Sequence, residues 1–326
     1  MKTYLITGGA GFIGSNFVLY LLKKYNDIKI IMVDALTYAA NLDNLKDCFN
    51  DSRFEFKQGN ICDTNFIESV FKKNYIDYVV NFAAESHVDR SIASADLFVQ
   101  TNVWGTVNLL NVAKKYWEKD LEKHKFIQIS TDEVYGTLEE NADAFTELTS
   151  ISPRSPYSAS KASADFFVMA FHETHNMPIN ITRCSNNYGR HQHEEKLIPT
   201  IIKNILSNSP VPVYGDGMQI RDWLYVEDHC SAIDVVINNG KNGEIYNVGG
   251  NNEIKNIEMI NYIGNYLVNQ SIVNKFDIQF VEDRKGHDRR YAINSTKIQQ
   301  ELGWKPNIIF KDGIVKTVNW YLKNLK

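Results

Sequence analysis

The sequence predicts an α/β fold: a doubly wound parallel sheet with a second, smaller lobe. Three observations carry this. A short apolar strand runs into a glycine turn, Gly8-Gly9-Ala10-Gly11-Phe12-Ile13-Gly14, that opens a helix. Apolar strands then alternate with helical patterns as far as Cys184, which implies parallel βαβ units of the Rossmann type. Beyond Asn187 the alternation breaks into a polar, histidine-rich stretch and short apolar pieces separated by Pro199, Pro210 and Pro212.

Residues 4–7 read as the first buried strand, and Phe12, Phe17, Leu21 and Leu22 follow at roughly helical spacing. Residues 28–33, 54–57, 78–82 and 126–130 read as further strands, with helical patterns over 65–73 and 96–117 between them. Pro153 and Pro156 punctuate the chain before a long helix over 157–175, and Pro178 separates that helix from a strand over 179–184. Ile314, Val318 and Tyr321 mark one face of a C-terminal helix. We therefore expect residues 1–187 to form the dinucleotide-binding domain, residues 222–249 to return to it, and residues 188–326 to build mainly the lobe that closes over a ligand.

Composition narrows the function classes. The chain has 326 residues, 44% hydrophobic and 23% charged, an ordinary globular balance. A formal net charge of -4 argues against a partner held through nucleic-acid phosphates. Cys48, Cys62, Cys184 and Cys230 are scattered, with no C-x-x-C pair, so neither a disulfide framework nor a zinc site is expected and a reducing cytoplasm fits. No apolar run reaches the roughly 18 residues that a membrane span needs. Glycines 8 to 14 interrupt any secretory signal, so no membrane association is expected.

The glycine turn is the first chemical signal. Glycine lets the backbone turn sharply and approach a pyrophosphate, and the helix start supplies free N–H groups. Asp34 lies about twenty residues past Gly14, where a ribose-binding acid is expected. Its carboxylate accepts from a 2′-hydroxyl and repels a 2′-phosphate, which favours NAD over NADP. The spacing is G-x-x-G-x-x-G and is similar to that of the extended short-chain dehydrogenase/reductase superfamily.

Tyr157 and Lys161 are four apart and share one helix face. An ammonium beside a phenol favours the phenolate, so the pair suits a base that takes an alcohol proton. Spacing alone does not single it out, because Tyr20 with Lys24 and Tyr25 with Lys29 match it. Those two pairs are expected on a solvated surface. Tyr157 differs by following a strand and opening a helix rich in small residues, Ser158 to Ala164.

Thr131, Asp132 and Glu133 fall at the carboxyl end of a strand, where ligands sit in a doubly wound sheet. Such residues also cap the next element. Read functionally, the Thr131 hydroxyl hydrogen-bonds a substrate alcohol. An adjacent acid and base can couple hydride transfer to loss of water, provided their surroundings hold one protonated and one ionised.

Longer stretches resemble one family. Residues 83–91 (Ala-Ala-Glu-Ser-His-Val-Asp-Arg-Ser), 130–136, 155–162, 184–189, 221–226 and 286–291 are similar to those of dTDP-glucose 4,6-dehydratases, and the likeness runs essentially end to end. The Thr-Asp-Glu motif separates such dehydratases from related 4-epimerases. The resemblance implies a hydro-lyase with an internal redox cycle. Tyr157 takes the proton of the sugar 4-hydroxyl, Glu133 removes the C5 proton, Asp132 protonates the departing 6-hydroxyl, and NAD is regenerated. The product is dTDP-4-dehydro-6-deoxyglucose, a precursor of deoxysugars of the rhamnose type.

The same resemblance implies that Gly8, Gly11, Phe12, Ile13, Gly14, Asp34, Thr37, Asn60, Ile61, Ala83, Thr101, Tyr157, Lys161 and Asn187 touch NAD. It implies that Ser86, Thr131, Asn186, Lys196, Leu197, Pro212, Tyr214, Arg221, Asn256, Arg284 and His287 line the dTDP-glucose site. Lys196, Arg221 and Arg284 offer cations for a diphosphate. The chain departs from the family at Asn60, where an aspartate is common, and at Arg190 and Lys285, where proline is usual. The two cations are expected near the diphosphate, balanced by Glu194 and Glu195. Family members commonly form homodimers through helices, here 96–117 and 157–175.

Overall fold

A computed structural model of the chain describes residues 1–283 and 288–324. Its largest sheet has seven strands: β1 (Lys2–Thr7), β2 (Ile28–Asp34), β3 (Phe54–Gln58), β4 (Tyr78–Asn81), β5 (Lys125–Thr131), β6 (Ile179–Cys184) and the strand Ile245–Val248. The spatial order is Ile245–Val248, β6, β5, β4, β1, β2, β3, and every pairing is parallel. The chain winds outward in one direction from β1 and in the other from β4. The crevice between those two carboxyl ends is the switch point where ligands bind such sheets.

Both faces of the sheet are covered, which explains why its strands read as near-continuous apolar runs. The pleat sends successive side chains to opposite faces. Tyr4 and Ile6 of β1 pack with Phe17 and Leu21 of the helix Phe12–Lys24 and with Ile233, Val236 and Ile237 of the helix Val226–Asn239. Leu5 between them points the other way, into a core with Ile67, Leu109, Leu110 and Trp117. The edge strand Ile245–Val248 and the helix Val226–Asn239 thus bring late segments of the chain onto the first sheet.

A third core gathers Tyr188, Ile198, Ile201, Ile202, Trp223, Ile260, Ile263, Ile314 and Val318. The helices Leu197–Leu206, Asn256–Asn269 and Phe310–Asn324 surround it. A small sheet supports it: the strand Ile220–Tyr225 pairs with Glu253–Lys255, Arg290–Tyr291 and Asn186–Tyr188. Val211–Tyr214 and Ile278–Val281 form a separate parallel pair.

Two expectations need correction. The helical pattern over 96–117 is not one α-helix: Val99–Trp104 winds as a π-helix between Asp96–Phe98 and Gly105–Trp117. The wide turn buries Asn102, whose amide accepts from Glu85 N–H at 2.8 Å and donates to the Glu85 carbonyl at 3.0 Å and to Ser160 Oγ at 2.8 Å. Such turns concentrate near functional sites. The second correction concerns Tyr20 and Tyr25, which are half-buried, whereas Lys24 is exposed as expected. Lys24 Nζ donates to Tyr20 Oη at 3.1 Å, and all three converge on the buried Asp234 carboxylate of the helix Val226–Asn239.

Candidate active site

The glycine turn is built as its sequence requires. Gly8 adopts φ +67°, and a Cβ there would lie 2.6 Å from the Ala83 nitrogen at the end of β4. At Gly14 a Cβ would come within 2.3 Å of the Gly8 carbonyl oxygen. The turn therefore presses strand, helix and neighbouring strand together around a bare backbone cradle. Asp34 ends β2 beside it. Its carboxylate accepts from Ala10 N–H at 2.9 Å and Leu36 N–H at 2.8 Å, while burial holds its pKa above the ordinary aspartate range against those two bonds.

From this cradle a cleft of about 660 Å³ runs across the carboxyl ends of β1, β4, β5 and β6. Every residue expected at NAD faces it: Gly8, Gly11, Phe12, Ile13, Gly14, Asp34, Thr37, Asn60, Ile61, Ala83, Thr101, Tyr157, Lys161 and Asn187. So do Ser86, Thr131, Asp132, Glu133, Asn186 and Lys196. Leu197, Pro212, Tyr214, Arg221 and Asn256 do not line this cleft. They sit in the unit built on the third core, where Gly217 N–H bonds the Tyr214 carbonyl and Asn256 N–H bonds the Gln219 carbonyl. Arg284 and His287 lie outside the described residues, as does Lys285.

The reacting end is where two elements meet. β5 delivers Thr131, after which Asp132–Tyr135 form a 3-10 turn. Thr131 Oγ1 caps that turn by accepting from Glu133 N–H, and it also donates to Asp132 Oδ1, both at 3.3 Å. Thr131 is therefore both a cap and a wall of the cleft. Opposite stands the helix Pro156–His175, started by a reciprocal Ser155–Ser158 capping box and Pro156. Its first turns present Tyr157 and Lys161 to the cleft.

Asp132 is buried, and its Oδ2 has no hydrogen-bond partner among the described residues. Burial, then the charges of Glu133 and Asp222, hold its carboxyl well above the usual aspartate range, with Arg221 and Thr131 acting the other way. It therefore holds its proton more tightly than a free aspartate does. Glu133 is only half-buried.

Tyr157 does not behave as its pairing with Lys161 suggests. Burial, then Glu133, Cys184 and Asp132, hold its phenol well above the ordinary value. Lys161 Nζ donates instead to the Ile129 carbonyl at 2.6 Å, and burial lowers its pKa. The chain's own groups do not make Tyr157 a phenolate.

The mouth joins three loops. Lys196 Nζ donates to the Ser86 carbonyl at 3.2 Å, and His87 and His193 approach the Glu195 carboxylate at 3.5 Å and 3.7 Å. The Arg90 guanidinium stacks 3.7 Å over the Tyr38 ring. Arg221 is buried, donates through Nη2 to the Asp288 carbonyl at 2.9 Å and lies 4.4 Å over the Tyr291 ring. Arg190 turns away from the cleft, bonding Asn16 at 2.8 Å and approaching Glu227 at 3.6 Å. Glu194 pairs with Lys203 at 2.6 Å. The expectation that Arg190 and Glu194 act at the diphosphate is thereby corrected: each finds a partner on a neighbouring helix.

Sequence reasoning missed Asp165, Arg183 and Cys184. Asp165 stands four residues after Lys161, a spacing that places it on the Tyr157–Lys161 face.

The comparisons with known proteins agree with one another. A family model described as GDP-mannose 4,6 dehydratase matches residues 5–317. The dTDP-glucose 4,6-dehydratase of Xanthomonas campestris pv. campestris (strain B100) is 48% identical, over 99% of this chain and 94% of the relative. The crystal structure of the Bacillus anthracis dTDP-glucose 4,6-dehydratase in complex with NAD superimposes with a TM-score of 0.89 at 48% identity, covering 99% of this chain and 97% of that one. DesIV of Streptomyces venezuelae, a dTDP-glucose 4,6-dehydratase solved with NAD and TYD bound, gives 0.90 at 42% identity, covering 99% and 98%. The chain belongs to the dTDP-glucose 4,6-dehydratase family.

Proposed function

We propose that this protein converts dTDP-glucose to dTDP-4-dehydro-6-deoxyglucose and water, using NAD that is regenerated in each turnover. The observation that carries the reading is the reacting end of the cleft. There a buried Asp132, its carboxyl held well above the usual aspartate range, and the half-exposed Glu133 share a strand end facing Tyr157.

The residues present fit NAD. The cradle at Gly8 and Gly14 is one that a side chain would fill, and Asp34 beside it carries the carboxylate for a ribose hydroxyl. Held by this cradle and Asp34, NAD would supply a hydride acceptor for C4, a hydride donor for C6 and, in its oxidised form, a positively charged nicotinamide. Tyr157, acting as the phenolate, takes the proton of the 4-hydroxyl, and Thr131 hydrogen-bonds the same oxygen. A ketone at C4 acidifies the C5 proton, which Glu133 removes. Asp132, whose burial favours its protonated form, delivers its proton to the departing 6-hydroxyl. The two carboxyls divide the work because only one of them is shut away from water.

For the nucleotide sugar we propose Ser86, Asn186, Lys196, Leu197, Pro212, Tyr214, Arg221 and Asn256, with Lys196 and Arg221 on the diphosphate. What supports Arg221 is that it is buried and close enough for its charge to act on Asp132. The decisive experiment incubates the purified protein with dTDP-glucose and, separately, UDP-glucose. Loss of water by mass spectrometry with dTDP-glucose is the expected result. Thymine and uracil differ by one methyl, worth about 1–3 kcal/mol, so a preference of about 10–200-fold is expected. An unchanged mass with an inverted stereocentre would make the protein an epimerase instead.

We further propose a cytoplasmic homodimer. Leu97, Val99, Trp104, Phe166 and Phe167 are exposed on an isolated chain, along the two helical segments 96–117 and 157–175. All four cysteines are free, in keeping with a reducing compartment. No helix among the described residues is long and apolar enough to cross a membrane. Trp104→Asp together with Phe166→Asp should convert a dimer to a monomer in sedimentation; a dimer that persists would move the interface elsewhere.

A further inference from the structure

Ser130, Asp165 and Arg183 form a buried knot behind the reacting end. They come from β5, the helix Pro156–His175 and β6, and the parallel register sets Ser130 directly beside Arg183. Asp165 Oδ2 accepts from Ser130 Oγ at 2.9 Å and from Arg183 Nε at 3.0 Å. Arg183 Nη1 continues to the Tyr135 hydroxyl at 3.0 Å, and Tyr135 donates to Asn247 Oδ1 at 2.8 Å. The Asp165 and Arg183 side chains are only 1% and 3% exposed. Asp165 Oδ1 has no hydrogen-bond partner among the described residues.

A buried ion pair is a poor device for stability alone, because apolar side chains of similar volume often serve as well or better. The position of this one is informative. Ser130 immediately precedes Thr131, Asp132 and Glu133. Asp165 lies one helical turn beyond Lys161. Arg183 immediately precedes Cys184, which lines the cleft. The titratable groups around Lys161 are Tyr157 and Asp165 on its own helix, Cys184 on β6 and, past Tyr157, Asp132 and Glu133 after β5. Burial pushes the pKa values of the Cys184 thiol and the Asp132 carboxyl up, favouring the neutral form of each. Asp165 is the carboxylate nearest in the helix, and it is paired with the Arg183 guanidinium.

We propose that Asp165 is a positioning residue: pinned by Arg183 and Ser130, its carboxylate keeps the buried Lys161 charged and holds the Tyr157 helix in register with the Thr131–Glu133 strand end. The role rests on the dehydratase reading for its consequence in turnover, though not for its effect on Lys161. Burial alone lowers the Lys161 pKa, and Asp165 is the largest influence opposing it. Without that carboxylate the lysine loses its proton at lower pH, and Tyr157 loses the cation that favours its phenolate.

The test compares wild type with Asp165→Asn and with the double variant Asp165→Asn/Arg183→Met. The double variant leaves no uncompensated buried charge and is expected to fold. In both variants the basic limb of the kcat/KM pH profile should move down by about one unit or more. Asp165→Glu should restore part of the shift. Phenolate absorbance of the NAD-loaded protein, taken as the difference from Tyr157→Phe, should titrate at higher pH than in wild type. That optical measurement needs no turnover, so it stands even if dTDP-glucose is not the substrate. Unmoved limbs and an unmoved phenolate titration in a folded variant would overturn the proposal, whatever happened to kcat. A double variant that fails to fold would also overturn it, by assigning the pair to the fold alone.

Discussion

Two Tyr-x-x-x-Lys pairs in this chain have the same spacing and opposite fates. Tyr20 and Lys24 lie in the seam between two outer helices. There the lysine bonds the tyrosine, and both meet a buried aspartate, Asp234. Tyr157 and Lys161 lie at the end of a cleft. There the lysine bonds a backbone carbonyl, and the nearby Asp132 keeps one oxygen without any partner. Helical spacing makes neighbours in both places. What separates a structural cluster from a reactive one is whether its polar atoms are already satisfied and whether a cavity reaches them.

The largest test of this contrast is Tyr157→Phe. Removing the oxygen proposed to accept the 4-hydroxyl proton should lower kcat about 10²–10⁴-fold while the protein still binds NAD. Steady-state turnover and NAD content measured together check it. A variant that keeps near-wild-type kcat would return Tyr157 to the structural class.

Glu133→Gln sharpens the division of labour within the reactive cluster. Elimination should slow about 10²–10⁴-fold, but oxidation at C4 does not need this carboxylate. In a single turnover the absorbance of reduced cofactor should therefore rise and persist, where wild type shows only a transient. If the absorbance never rises, Glu133 acts before elimination, and the assignment of base and acid must be redrawn.

Asp132 offers a thermodynamic test. Its folded pKa lies above the unfolded value, so the folded state binds the proton more tightly. Stability is then lost as pH rises from about 4, the unfolded aspartate value, through the folded pKa. Asp132→Asn removes this loss. The variant should melt higher than wild type near neutral pH, with the difference vanishing toward pH 4, while dehydration collapses. Thermal melts across pH read this directly. A variant that melts lower at every pH would mean that the Asp132 carboxylate supports the fold.

Most of this molecule was legible in its sequence, and the rest failed for one reason. Strands buried on both faces announce themselves as apolar runs, and the turn at Gly8 to Gly14 declares its backbone. Thr131, Asp132, Glu133 and Tyr157 could be picked out because strand ends and a proline-marked helix start place them. What escaped depended on partners distant in sequence. The π-helical turn forms around Asn102, whose partners Glu85 and Ser160 lie on other elements. Arg190 was expected in the cleft and instead reaches Asn16, and Asp165 meets Arg183 only through the β5–β6 register. Single-residue chemistry shows in a sequence, but pairings made across the sheet do not.

The smallest expected effect closes the comparison from the other side. Tyr20→Phe removes a hydroxyl that bonds Asp234 at 3.4 Å and accepts from Lys24 at 3.1 Å. Tyr25 and Lys24 still satisfy the Asp234 carboxylate, so no buried charge is left alone. The loss should be that of one ordinary hydrogen bond, about 0.5–1.5 kcal/mol, seen as a small drop in Tm. The kcat and the NAD content should match wild type. A Tyr20→Phe variant with an intact Tm and impaired turnover would mean that the seam between the outer helices communicates with the cleft, and the two Tyr–Lys pairs could no longer be treated as separate.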